Sequence, residues 1–584
     1  MTEGVRDVRR GMALLAVMVA CNAPGAVVRS TPPLAPSGSS SAPRPALPRS
    51  PGSLEPSIAV TLRPFVEGKL GLHVEVTATG EASKLRVWSR AVTNVGEISR
   101  VEASDARGRV DLTTTDARIE LARAPEGAVT LRYDVALRAG ERSSALTVMT
   151  DRFVANGEPV LVLPDALDDA TVQISITIEA SQLHAARAAS SLGLGEKRSA
   201  VRIGRFLRHS TFVAGSLGTA IFDATEGHDE AAWLGYTAFD MRAVAGELAQ
   251  VRTGLADYFR AGHETPTTYI VLAEARRAGS FRVASRAESV VLAVGPREPW
   301  SAPLRIALAQ QMLHTWIGGV LWLGPTEGAH VKESAWFTEG VTRFLAARLL
   351  RRFGTLSPTD TRDELVAEIA EQATSPYRRE PTARLAARDD AAARTLLIAR
   401  GAIYAWRIDA ELRRATSGKR SIDDVMKALY ARAVETRRPL PISDFVAAVA
   451  RDLGPRAQEL HSALIDDGND IALRDDALGR CFRASQTTYT RFDLGFDEAR
   501  TEDEPSRRVV GLTSDGPAAR AGIREGDVIE SVQLTPGDAS KPATVKVSRE
   551  GRSQEIAYLP RGPSQRGPTW TRVADVPDEA CGQE

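Results

Sequence analysis

Cysteine, aromatic residues and net charge are what this sequence has least of. Three cysteines in 584 residues are too few for a disulfide-built scaffold or a cysteine-ligated zinc module. Aromatic residues make up 5% of the chain, so its cores must rest mainly on Ala, Val and Leu. Lys plus Arg and Asp plus Glu are both 74. A formal net charge of zero excludes a globally basic nucleic-acid binder and an acidic solvating tail. Lysine is scarce, and arginine carries most of the positive charge. No run is long and apolar enough for a transmembrane helix, which needs about 20 residues. What is present is 43% hydrophobic residues, enough for ordinary packed cores. The length suits about three or four domains.

The N-terminus addresses the compartment. Residues 1–21 read as an export signal: Arg6, Arg9 and Arg10 form a basic stretch, and Met12 to Ala20 a short apolar one. The run ends in Met18-Val-Ala-Cys21, which resembles a bacterial lipoprotein box with Met in place of the usual Leu. The resemblance implies Cys21 as the lipidation site, a membrane anchor, and a place in the bacterial cell envelope, on the periplasmic or outer-membrane face. An ordinary cleaved signal with an incidental cysteine is the alternative. Residues 22–56 are rich in Pro, Ser and Ala, a composition that stays extended and acts as a tether. Cys481 and Cys581 remain. An oxidising envelope compartment favours a disulfide between them, the alternative being two unpaired thiols.

Hydrophobic periodicity divides the rest. Residues 57–229 read as one or two β-sheet layers: Ser57–Leu62, Leu72–Thr77, Ala128–Tyr133, Val160–Leu163 and Val172–Ile178 are strand-like and separated by turn residues. From about 230 the period moves toward 3.6. Helices are expected over 240–261, 303–318, 334–353 and 391–415, with short strands at Tyr269–Leu272 and Ser289–Val294. Ser421-Ile-Asp-Asp424 resembles a capping box, Ser443 is placed to cap a further helix, and Gly454 to end it. So 230–470 should be mainly helical with a small sheet. Residues 486–562 return to β, with Val509–Thr513, Val528-Ile529 and Ala543–Ser548 as strands, and 563–584 form a tail. The fold class is multidomain α+β.

This order of parts resembles the glycyl aminopeptidase family of zinc metallopeptidases. Two stretches carry the resemblance. One is Arg400-Gly-Ala-Ile403 followed by Thr416-Ser-Gly-Lys-Arg-Ser-Ile-Asp-Asp-Val425; the other is Trp336-Phe-Thr-Glu-Gly-Val-Thr342. The resemblance implies an N-terminal β-domain, a thermolysin-like catalytic domain and a C-terminal PDZ domain. In such enzymes a helix carries His-Glu-x-x-His, whose two imidazoles bind zinc, while the Glu activates the bound water and a downstream Glu is the third ligand. Here the helix reads Gln310-Gln311-Met-Leu-His314-Thr-Trp316. His314 thus stands at the second ligand position and Glu339 at the third. Gln310 replaces the first His and Gln311 the general base. A Gln amide is a weak ligand beside imidazole, and Gln311 cannot take up a proton in water.

Two further places agree. Related enzymes place a Tyr shortly before the Arg400-Gly401 step to steady the oxyanion; Leu396-Leu-Ile-Ala399 has no hydroxyl. The strand that fixes a substrate's amino terminus, Gly-Gly-Leu-Glu-His-like in the family, is best matched by Arg282-Val-Ala-Ser-Arg286. His330 and Glu333 could join His314 and Glu339 in a rebuilt metal site; the plainer reading puts them in a solvated loop and near a helix start.

The last module has Asp493-Leu494-Gly495-Phe496, similar to the carboxylate-binding loop of PDZ domains, and Asp515-Gly-Pro-Ala-Ala-Arg-Ala-Gly-Ile-Arg-Glu-Gly-Asp-Val-Ile529, similar to a bacterial PDZ signature. The resemblance implies that Leu494, Gly495 and Phe496 receive a peptide or protein C-terminus, the peptide adding as a strand to the sheet edge. The expected protein is an envelope lipoprotein with a peptidase fold, no peptidase activity and a peptide-binding role. It has no cofactor, or zinc if the site still works, and no nucleic-acid partner. The alternatives are an active metallo-aminopeptidase with an altered zinc site and a structural envelope protein.

Overall fold

Alternating burial turns the first part of the chain into sheets. Ile58, Val60 and Leu62 are buried between half-exposed neighbours, and Leu72, Val74, Val76 and Ala78 repeat the pattern on the adjacent strand. In this computed structural model the described residues are 55–581 apart from 67–69, 116, 139–142, 184–185, 224–227, 261–266, 274–280, 327–328, 389, 505 and 536. The expected export signal with Cys21, and nearly all of the expected tether, lie outside them. So do the side chains of residues 329–330, 499, 502–503 and 579.

A seven-stranded sheet runs in the order Lys197–Ile203, Thr171–Ile178, Ser57–Phe65, Gly71–Thr79, Val129–Ala136, Glu97–Asp105, Gly108–Val110. Ser57–Phe65 pairs parallel with Thr171–Ile178 and antiparallel with Gly71–Thr79. Strands of a five-stranded and a four-stranded sheet share its core, where Trp88, Phe153 and Phe212 are fully buried. The strand expected at 160–163 is instead a helical turn, Gly157–Val160, followed by the short strand Leu163–Pro164. Pro159 sits inside that turn, and its fixed φ and missing N–H disfavour a sheet ladder.

The next sheet belongs to the helical body. Its order is Leu217–Asp223, His228–Leu234, Thr268–Ala273, Ser289–Val294, Phe281–Arg286, and the last is an antiparallel edge strand. Ala231, Tyr269, Val271 and Leu292 enter the core that the helices build. The hairpin 217–234 therefore crosses the boundary expected between 229 and 230. The change of period marked the first helix of this unit, not its first strand.

The helices begin where side chains can cap them. Asp240 accepts from the Arg242 N–H at the start of Met241–Phe259, and Asp390 from the Ala392 N–H at the start of Ala391–Ala415. Ser421 and Asp424 form a reciprocal capping box on Ile422–Thr436. Ser357 and Asp360 form another on Pro358–Thr374, a helix absent from the expectations although Ser357-Pro-Thr-Asp360 signals it. The helix expected from 303 to 318 is Ala302–Leu313, and that expected from 334 is split into a π-turn, Trp336–Val341, and the helix Thr342–Arg352. Pro441, not Ser443, precedes the helix Ile442–Leu453, which ends at Gly454 with φ 59°. Among the described residues no helix is long and apolar enough to cross a membrane.

The C-terminal region has two parts. A long ribbon pairs Phe482–Phe492 with Arg561–Arg572, and its Tyr489 and Trp570 join the helical core. A three-stranded sheet, Val528–Gln533, Ala543–Arg549 and Arg552–Tyr558, has a small core of its own around Val509, Ile529, Val545 and Val547. The expected tail therefore begins as a strand. Pro563 and Pro568 disguise it in sequence; a two-stranded ribbon accepts them because both of its strands are edges. Val509–Thr513 forms no regular strand, its neighbour Arg508 making a single bridge to Val528, and Gly511 turns the chain at φ 68°. Cys481 and Cys581 are joined by a disulfide with their Cα atoms 5.3 Å apart.

Candidate functional site

The site lies between two elements that the sequence builds for packing. Trp336 is fully buried and meets Tyr404, Phe445 and His461 edge-on, at ring distances of 5.7, 5.5 and 5.3 Å. That cluster anchors the π-turn Trp336–Val341, and a widened turn of this kind is often found at functional sites. Gly340 faces Gly401. A Cβ on Gly401 would stand 1.8 Å from the Trp336 carbonyl oxygen, so only glycine lets the two backbones meet. The Trp-Phe-Thr-Glu-Gly and Arg-Gly stretches are thus two halves of one contact, and it fixes where Glu339 points.

Three side chains close on one another there. The Gln310 amide donates to Glu339 Oε2 at 2.9 Å, and its residue is buried. His314 Nε2 lies 3.3 Å from the same oxygen, while its Nδ1 lies 3.2 Å from the Ile317 carbonyl. Burial pulls the His314 imidazole down, but the Glu339 hydrogen bond and charge outweigh it, and the pKa ends above the ordinary histidine value. Gln311 turns elsewhere. Its Oε1 accepts from the Ser285 N–H at 2.9 Å, on the edge strand Phe281–Arg286. Beside these two residues lies a cavity of about 250 Å³, whose wall includes Ser285, Arg286, Glu288, Gln311, His314 and Thr315. Two of its charges are held by the N-terminal region: Arg286 donates to Glu158 at 2.8 Å and Arg202 to Glu288 at 2.6 Å.

This donor set does not fit a catalytic zinc. The Gln310 amide presents an N–H donor, which cannot coordinate a cation. One imidazole and one carboxylate remain where three protein ligands are the norm. Among the described residues no group of three or more His, Cys, Asp or Glu is placed to hold a metal ion. Glu333 lies in the 3-10 helix Ala329–Ser334 and forms no such group with His314 and Glu339. The side chain of His330 lies outside the described residues.

The remaining parts of the two motif stretches are structural. Arg400 is fully buried and donates to Thr382 Oγ1, the Arg378 carbonyl and the Gly468 carbonyl at 3.3, 3.3 and 3.5 Å. Burial brings its pKa down to about 10. Asp409 binds Arg348 and the Ile422 N–H, and Asp423 takes hydrogen bonds from Tyr258 and Arg352. Burial raises the Asp423 pKa, but Arg348 and Arg352 bring it below the ordinary carboxylate value.

At the C-terminal loop, Leu494 and Gly495 are buried and Phe496 is half-buried. The Gly495 N–H donates to the Asp493 carboxylate at 2.8 Å, and the Leu494 carbonyl accepts from Tyr558 at 2.9 Å. A short helix, Glu498–Asp503, follows the loop instead of a strand that could receive a peptide. The bond from Asp493 to the residue two positions on is a local Asx contact, readable from Asp-Leu-Gly alone.

Comparison with known proteins places this geometry. A family model described as M61 glycyl aminopeptidase matches residues 326–411, the span holding both Glu339 and Gly401. No curated protein matches the chain. Among solved structures, an aminopeptidase N family protein from Idiomarina loihiensis is similar at 14% identity and a TM-score of 0.65, over 90% of this chain and 99% of that one. An M1 zinc metallopeptidase from Deinococcus radiodurans is 18% identical, with a TM-score of 0.46, over 73% of this chain and 96% of that one. At such identities the likeness is one of fold. The chain thus shares the fold of that aminopeptidase N family protein, residues 326–411 match the glycyl aminopeptidase model, and among the described residues no cluster is placed to hold a metal.

Proposed function

We propose that this protein binds polypeptide segments in the cleft of a peptidase fold without hydrolysing them. The observation that carries the reading is the set Gln310, Glu339 and His314, in which the Gln310 amide and His314 Nε2 both turn onto Glu339 Oε2. Gln311 supports it, since its amide is engaged with Ser285 and has no basic form. The strand Phe281–Arg286 is the edge of its sheet, and beyond the Ser285 N–H that Gln311 holds, its outer backbone groups are open to an extended segment along the cavity. We place this activity in the cell envelope, on a chain anchored through Cys21. A PDZ-type C-terminal module would be a second contact. A free C-terminus would have to displace Asp493 from the Gly495 N–H there, so the cleft is the main site of recognition.

The test has two arms. Zinc content after dialysis against zinc, together with hydrolysis of Gly- and Ala-initiated peptides, should both be nil. One zinc per chain with chelator-sensitive cleavage overturns the reading in favour of an active aminopeptidase. A peptide library screened by fluorescence polarisation should yield ligands whose binding is lost on Thr315→Trp, an exposed position on the cavity wall where the larger side chain fills the space. Silence against every sequence overturns it in favour of a structural envelope protein.

A further inference from the structure

A second cavity, of about 620 Å³, lies away from the cleft, where the helical body meets the C-terminal tail. Five arginines and two aspartates line it, with Trp406 and the disulfide-bonded Cys481 and Cys581 in its wall. Both aspartates are already neutralised. Asp409 accepts from Arg348 and Arg413, each at 2.8 Å, and Asp476 accepts from Arg474 at 3.0 Å. Three guanidinium groups are left over. Among the described residues Arg351 reaches the Asp578 carbonyl at 3.5 Å, Arg480 donates to the Ala580 carbonyl at 2.8 Å, and Arg414 forms no salt bridge, though its charge helps hold down the Asp476 pKa. The helix Ala391–Ala415 ends here, and its carbonyl dipoles would repel an anion if they were free. They are not. The N–H groups of Thr416, Ser417 and Gly418 fold back onto the carbonyls of Leu412, Arg414 and Arg413.

We propose that this cavity is a binding site for a small phosphate-bearing anion, held by Arg351, Arg414 and Arg480 and closed on one side by the disulfide-bonded tail. Each guanidinium has five N–H donors; tail carbonyls take one at Arg351 and two at Arg480, so planar forks remain for phosphate oxygens. The volume suits a molecule of small-metabolite size. The same chemistry could come from a free phosphate compound or from a lipid headgroup.

Isothermal titration calorimetry of the full chain with inorganic pyrophosphate reads the first source. Sedimentation with phosphatidylglycerol vesicles, against phosphatidylcholine vesicles, reads the second. The expected result is saturable one-to-one pyrophosphate binding that weakens with added salt. Arg414→Ala, at an exposed position that leaves the fold intact, should weaken it about tenfold. Arg414-dependent binding to phosphatidylglycerol vesicles, with none to pyrophosphate, supports the same site with a headgroup as its source. No saturable binding in either arm, or binding indifferent to Arg414→Ala, overturns the proposal. Cys481→Ser with Cys581→Ser, its fold checked by circular dichroism, should also lose affinity. Full affinity in that folded variant removes the tail from the site.

Discussion

In the cleft, Glu339 is met by Gln310 and His314, and Gln311 by a backbone N–H; in the tail cavity the aspartates are met and three arginines have no carboxylate partner among the described residues. Both are concave, polar and built at the junction of separate elements. One is closed electrostatically and the other is open. The difference shows what two amides do where an imidazole and a carboxylate would have drawn a cation. A glutamine is both donor and acceptor, so it can knit the surrounding groups together and leave nothing to attract a cation. Arginine, which only donates, cannot satisfy its like-charged neighbours, and a cluster of arginines stays open to an anion.

The comparison can be broken most sharply by reopening the cleft. Gln310→His with Gln311→Glu supplies the missing imidazole at the position one helical turn from His314, with Glu339 as third ligand. The variant should bind one zinc per chain by elemental analysis, where the parent binds none. A zinc-free variant would show that Glu339 is misplaced as well as engaged. The next effect is on the other side. The disulfide closes a loop with a sequence separation of 100, and removing it should cost roughly 2–5 kcal/mol in urea unfolding. An unchanged midpoint would mean that the ribbon, not the bridge, holds the tail.

A smaller effect tests the closure itself. The His314 pKa is raised in the fold, against burial, by Glu339. Its stabilising contribution is therefore complete below the ordinary histidine value of about 6.5 and is lost as pH rises through the higher folded value. The gap in thermal midpoint between the parent and His314→Gln should shrink as pH is raised above that point. A constant gap would sever the His314–Glu339 pairing. Smallest of all, Arg414→Ala should change stability by no more than about 0.5 kcal/mol, because the side chain is exposed and makes no salt bridge among the described residues. A larger loss would make Arg414 a structural residue and close the second cavity too.

What the sequence made legible was packing. Trp336, Gly340, Arg400 and Gly401 are positions where backbone approach or burial leaves one workable residue, so their spacing is a signal. The amides at 310 and 311 were equally plain in the sequence. The destination of the Gln311 amide was not. Ser285 is 26 residues away and comes near only when the edge strand packs on the site helix. Two misses were local and readable: the Ser357–Asp360 cap and the Asp493 contact to Gly495. The tail cavity was invisible, since its arginines come from four separate segments that only the fold assembles.

The bridge between Cys481 and Cys581 also has a mechanical side. Both cysteines sit at the foot of the ribbon, so the whole C-terminal module hangs in a covalently closed loop beside the body. Tension entering through the body and leaving beyond Cys581 would pass directly across the sulfur–sulfur bond. The three-stranded sheet would carry little of it. The module is a side-loop off the load path, able to keep its fold while the rest of the chain is pulled.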